Sequence, residues 1–113
     1  MPDLDLNQVI LTGTLERDPI MRFAPDGHGS QHVCFTLRCS EVGPAGQTWQ
    51  LFVPVECYGS AVELCGELSA GDSMLVVGKL KWTSWQGKDG QKKTSLAILA
   101  RQVKRLAAVE ISA

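Results

Sequence analysis

Phe52 and Tyr58 stand six residues apart in a stretch, Trp49 to Tyr58, where apolar residues recur at every second position. An extended chain turns alternate side chains to opposite faces. Leu51, Val53, Val55 and Cys57 therefore share one face, and Phe52, Pro54, Glu56 and Tyr58 share the other. If the first face is core, two aromatic rings point outward with nothing to pack on. Lys79 and Lys81 repeat the arrangement farther along, opposite Met74, Val76, Gly78, Leu80 and Trp82, and Trp85 stands at the neck of a hairpin that bears Lys88, Lys92 and Lys93. Every nucleobase has a π face. Outward aromatics interleaved with ammonium groups can therefore hold an unpaired polynucleotide strand without reading its sequence, each stacked base contributing roughly 1–3 kcal/mol.

The charge distribution supports such a surface although the total does not. The net charge is −1. Residues 1–78 carry Arg17, Arg22 and Arg38 against ten acids, a balance of −7, whereas residues 79–105 carry eight lysines and arginines against Asp89 alone, a balance of +7. A segment this basic sets up a local positive field able to attract phosphates.

Other chemistries find little in the sequence. It contains no glycine-rich phosphate loop, no H-E-x-x-H pair and no G-x-S-x-G elbow, so no enzyme is expected. Asp18, Asp26 and Asp72 read as turn and cap residues. Cys34, Cys39, Cys57 and Cys65 lie in apolar stretches with no C-x-x-C pair, which points to reduced, mostly buried thiols and away from a structural zinc site, His28 and His32 notwithstanding. Neither a metal nor a cofactor is expected. No apolar run approaches the roughly 20 residues of a membrane helix, and Met1-Pro2-Asp3-Leu4-Asp5 lacks the order of a signal peptide, so the expected location is the cytoplasm.

The elements that must position these residues follow from periodicity. Val9 to Glu16 alternates as a half-buried strand. Arg17 to Ser30 has the density of breakers that suits a long loop or a distorted hairpin, with Phe23 as a hydrophobic plug. Val33, Phe35 and Leu37 restart the alternation, closed by the turn Gly43-Pro44-Ala45-Gly46. Trp49 to Tyr58 is the third strand, in which Pro54 calls for an edge or a bulge. Ser60-Ala61-Val62-Glu63 has the form of a capping box and predicts a short helix with Ala61, Leu64, Cys65 and Leu68 as its apolar stripe. Ser73 to Trp85 and Lys93 to Leu106 are the last two strands, with Trp82 inward by parity. Five strands with one short helix between the third and fourth suit a closed barrel, the OB-fold arrangement, in an all-β chain read as one domain over residues 1–113 with a core at about 7–106.

The motifs Asn7-Gln8-Val9-Ile10-Leu11-Thr12-Gly13, Arg17-Asp18-Pro19, Arg22-Phe23, Phe35-Thr36-Leu37, Tyr58-Gly59, Gly71-Asp72 and Trp85 before Gly90-Gln91 come in the order found in bacterial single-stranded DNA-binding proteins, which this chain resembles from about Asn7 to Leu106. The resemblance implies that Phe52, Tyr58 and Trp85 stack bases and that Arg22, Lys79, Lys81, Lys92 and Lys93, with Lys88 in the same hairpin, form a basic surface. It further implies a homotetramer of packed dimers, with a dimer as the smaller alternative. Outward Leu75 and Val77, together with the first strand, are the expected contact. Two departures stand out. Gly43 lies roughly where many members carry another stacking tryptophan, and the chain ends at Ala113 without the acidic tip through which housekeeping members recruit other proteins, so tail-mediated partners are not expected. The expected function is sequence-tolerant binding of single-stranded DNA in replication, recombination or repair. The alternative is a primosome-type OB module that chiefly holds a replication protein.

Overall fold

The computed structural model describes residues 5–23, 31–59, 62 and 65–106, with six strands: β1 (Val9–Leu15), β2 (Ile20–Phe23), β3 (Gln31–Val42), β4 (Thr48–Tyr58), β5 (Ser73–Gln86) and β6 (Lys92–Leu106). They lie in the order β1-β5-β6-β4-β3-β2, and β1 pairs with β3 as well. That added pairing closes β1, β5, β6, β4 and β3 into a five-stranded barrel and leaves β2 as a flap on β3. All contacts are antiparallel except β4 with β6, which run parallel through Val55↔Ile98, Glu56↔Leu99 and Cys57↔Ala100. Closure pairs β1 with β3 and so shortens the sheet edges that would otherwise need protection.

The expected parities hold in the barrel. Leu15, Val33, Phe35, Leu37, Val55, Cys57, Met74, Val76, Ile98 and Val103 fill its interior. The barrel closes where β1 crosses β3, at Thr14↔Arg38 and Leu15↔Leu37. Gly13 allows this close approach, since a Cβ there would lie 2.6 Å from the Arg38 carbonyl oxygen and 2.9 Å from Leu37 Cγ. Gly78 has the same role where β5 meets β6: its missing Cβ leaves space for the Leu99 carbonyl, beside a register shift that gives β6 an extra residue at Arg101. Pro54 sits where β4 still has a free second edge, because pairing with β6 begins only at Val55, and an absent N–H is tolerated there.

Three expectations need revision or restriction. The stretch from Arg17 to Ser30 contains a strand, β2, because β1 pairs with β3 only near residues 37 and 38 and leaves the edge at Gln31–Cys34 open for Ile20–Phe23. Trp82 is not in the core but 61% exposed. Beyond Leu80 the β5–β6 ribbon, paired from Lys81↔Ala97 to Gln86↔Lys92, runs past the last pairing of β6 with β4, so inward parity no longer means burial. The helix expected from Ser60 falls largely on residues outside the described ones. Of its apolar stripe, Cys65 and Leu68 are described, and both are buried in the core.

Candidate nucleic-acid interface

The register of β2, β3 and β4 arranges the outward face in rows. Arg22, His32 and Tyr58 form one row, Ile20, Cys34 and Glu56 the next, then Thr36 with Pro54, and Arg38 with Phe52. Parallel pairing of β4 with β6, and of β6 with β5, extends the second row through Leu99 to Lys79. Trp85 and Lys93 are cross-strand partners and so share this face of the ribbon, with Thr83 and Lys81 leading back toward the barrel.

A groove of about 740 Å³ runs over these rows, and Arg22, Phe52, Lys81 and Trp85 line it together with Arg17 and Thr83. Tyr58, Lys79 and Lys81 line an adjoining hollow with Leu99 and Arg101. The structure thus brings six of the nine sequence-derived residues onto one continuous surface. Lys93 joins them through Trp85, Lys88 lies in the Gly87–Gln91 turn, and Lys92, opposite Gln86, falls on the other face of the ribbon. Phe52, Tyr58 and Trp85 are exposed at 55%, 38% and 47%, unusual for large rings without a ligand to cover them.

The cations are only partly free. Lys81 Nζ lies 3.3 Å from Glu56 Oε2 and 5.8 Å from the centre of the Tyr58 ring, while the Tyr58 hydroxyl donates to Glu56 Oε1 at 3.3 Å. Burial acts to lower the pKa of Lys81, but the hydrogen bond and charge of Glu56, with Tyr58 adding to them, outweigh it and raise the pKa. The Tyr58 phenol is also pushed up, by burial first and then by the Glu56 charge, against the pull of Lys81. Both groups are therefore protonated at neutral pH, leaving Tyr58 an intact ring for stacking and Lys81 a full positive charge. Arg38 is tied to Glu16 at 3.2 Å.

Sequence reasoning noted His32 only beside the cysteines and missed its place against Tyr58. Its ring stacks on Tyr58 with centroids 4.8 Å apart and planes 17° from parallel, so it backs the exposed aromatic from beneath and fixes its tilt. The signal was available in the parity of β3, where His32 shares the outward face with Cys34. Asp18 and Asp72 behave as turn residues, accepting from the Ala70 and Ser69 amides at 2.8 and 2.9 Å.

Comparison with known proteins agrees with this architecture. A protein of Plasmodium falciparum solved as an SSB complex with ssDNA superimposes with a TM-score of 0.83 over 95% of this chain and all of that one, at 19% identity, which identifies the barrel as an OB-fold of that type. Among curated relatives, a single-stranded DNA-binding protein of Thermus thermophilus is 31% identical over 88% of this chain and 37% of its own length. One of Neisseria meningitidis is 33% identical over 91% of this chain and 61% of its own. A third, single-stranded DNA-binding protein 3 of Clostridium acetobutylicum, is 32% identical over 89% of this chain and 71% of its own. This chain thus spans little more than a third of the Thermus relative. The single-strand binding protein family model matches residues 6–106, the whole of the closed barrel, and the chain belongs to that family.

Proposed function

We propose that this chain binds single-stranded DNA without reading its sequence, protecting exposed strands during replication, recombination or repair. The observation that carries this reading is the groove itself: Phe52, Trp85, Arg22 and Lys81 line it together, and Tyr58 lines the adjoining hollow. Bases stack on the rings, and the cations follow the phosphates. Binding only the open strand melts hairpins by mass action, with no catalytic step.

Titrating intrinsic tryptophan fluorescence with oligo-dT tests the proposal. Quenching by the single strand and not by duplex is expected. Trp85→Ala should weaken binding by about 5- to 150-fold, the equivalent of one lost stack of roughly 1–3 kcal/mol. A folded protein with no response to oligo-dT would overturn it.

The functional unit is a homo-oligomer, a tetramer by preference. Ile10, 60% exposed, pairs with Val77, and Leu75 lies one step along the same outward face of β1 and β5. This apolar strip suits burial against a second copy. Light scattering at micromolar concentration should give a multiple of 12.3 kDa, and a monomeric mass would refute the assignment.

A further inference from the structure

Two neighbouring rows of the outward face bring a histidine from the first together with a thiol and a carboxylate from the second. His32, Cys34 and Glu56 each offer one ligand atom, and all three atoms lie within 4.8 Å of one another. Cys34 is the direct cross-strand partner of Glu56, and His32 precedes Cys34 by two on the same strand, so backbone pairing holds the trio in place. A second observation singles out the histidine: His32 is 91% buried, and its Nδ1 has no hydrogen-bond partner among the described residues. A buried polar atom left unpaired is costly, and native proteins ordinarily satisfy it with a protein group, a water or an ion.

We infer that His32, Cys34 and Glu56 form a binding site for one borderline divalent transition ion, Zn²⁺ above all. Imidazole, thiolate and carboxylate are its three ordinary protein donors, and a three-ligand set leaves a fourth position open toward the groove. Tetrahedral bond lengths require ligand atoms about 3.3–3.6 Å apart. The trio must therefore close in by about 1 Å, which side-chain rotation of Cys34 and Glu56 supplies on a fixed backbone. Burial and the Glu56 charge hold the Cys34 thiol above its ordinary pKa, against Arg22 and Lys81, so the thiol is protonated before metal arrives. Binding forms the S–Zn bond and releases that proton to solvent, with no change of oxidation state. It also draws Glu56 away from Lys81 or the Tyr58 hydroxyl, its present partners.

Cobalt is the probe. Titrating the full, reduced chain with Co²⁺ should produce a thiolate-to-cobalt charge-transfer band in the near ultraviolet, saturating at one equivalent and bleached by added Zn²⁺. Cys34→Ser should abolish that band, and Glu56→Gln and His32→Gln should each weaken cobalt binding by about tenfold or more. Absence of a saturable band overturns the site, as does a band that persists in Cys34→Ser. If Cys34→Ser does not fold, Glu56→Gln decides, because cobalt affinity equal to that of the unaltered chain would refute the assignment.

Discussion

Glu56→Gln should tighten binding of single-stranded DNA, although it removes a group from the middle of the proposed interface. The Glu56 carboxylate holds Lys81 at 3.3 Å and accepts from the Tyr58 hydroxyl at 3.3 Å. Glutamine keeps the volume and an oxygen for Tyr58 but loses the charge that neutralises Lys81. A partly exposed ion pair of this kind is worth about 0.2–1 kcal/mol, so releasing the lysine to a phosphate should raise affinity up to about fivefold at low salt. Each further lysine on a single strand steepens the dependence of log affinity on log salt by about 0.7. The advantage should accordingly shrink by roughly 2.6-fold between about 50 and 200 mM salt. The assay is quenching by oligo-dT across a salt series, with a chelator present so that no metal occupies Glu56. An unchanged slope, or weaker binding at low salt, would refute the assignment of Lys81 to the phosphate path.

Two further predictions concern the frame. Gly13→Ala should destabilise the fold by about 1–3 kcal/mol in urea unfolding, because the added Cβ meets the Arg38 carbonyl oxygen at 2.6 Å on a neighbouring strand that closes the barrel. Stability equal to the original chain would mean that β1 and β3 separate at no cost. Trp82→Ala should change stability by no more than about 0.5 kcal/mol, since the ring is 61% exposed. A loss of 3 kcal/mol or more, the cost of emptying a buried tryptophan site, would return Trp82 to a core.

Most of the barrel was legible because inside and outside alternate with period two, and Val33, Phe35 and Leu37 or Met74 and Val76 have no other use. Periodicity tells which face a residue occupies, not whether a second sheet covers that face. Trp82 shows the difference, having core parity on a ribbon with no core beneath it. Four-residue β2 was hidden by the breakers on either side, since its partner is an open edge on β3 and not anything in its own composition. In the site, the aromatics were visible as residues out of place on their strand. The grouping of His32, Cys34 and Glu56 was not, because spacing rules for metal ligands look along one chain segment and this set is assembled across two strands by register. The same holds for the Lys81–Glu56 pair, which joins β5 to β4.

The pairing of β1 with β5 has a consequence for how the molecule is made. Val9 pairs with Gly78 and Thr14 with Ser73, so the first strand emerges from the ribosome long before its partner exists. At about 5–20 residues per second, the 69 residues added after Val9 up to Gly78 take roughly 3–14 s to synthesise. Once Tyr58 is made β3 and β4 can form their hairpin, while the segment Val-Ile-Leu-Thr-Gly-Thr-Leu still waits with only a short crossing on β3 available to it. Long-range pairing of this kind slows folding and lengthens the exposure of sticky intermediates. The threonines and the glycine that interrupt this strand therefore have a second use during synthesis, since they limit the apolar surface of a segment that must remain unpaired until the barrel's last two strands arrive.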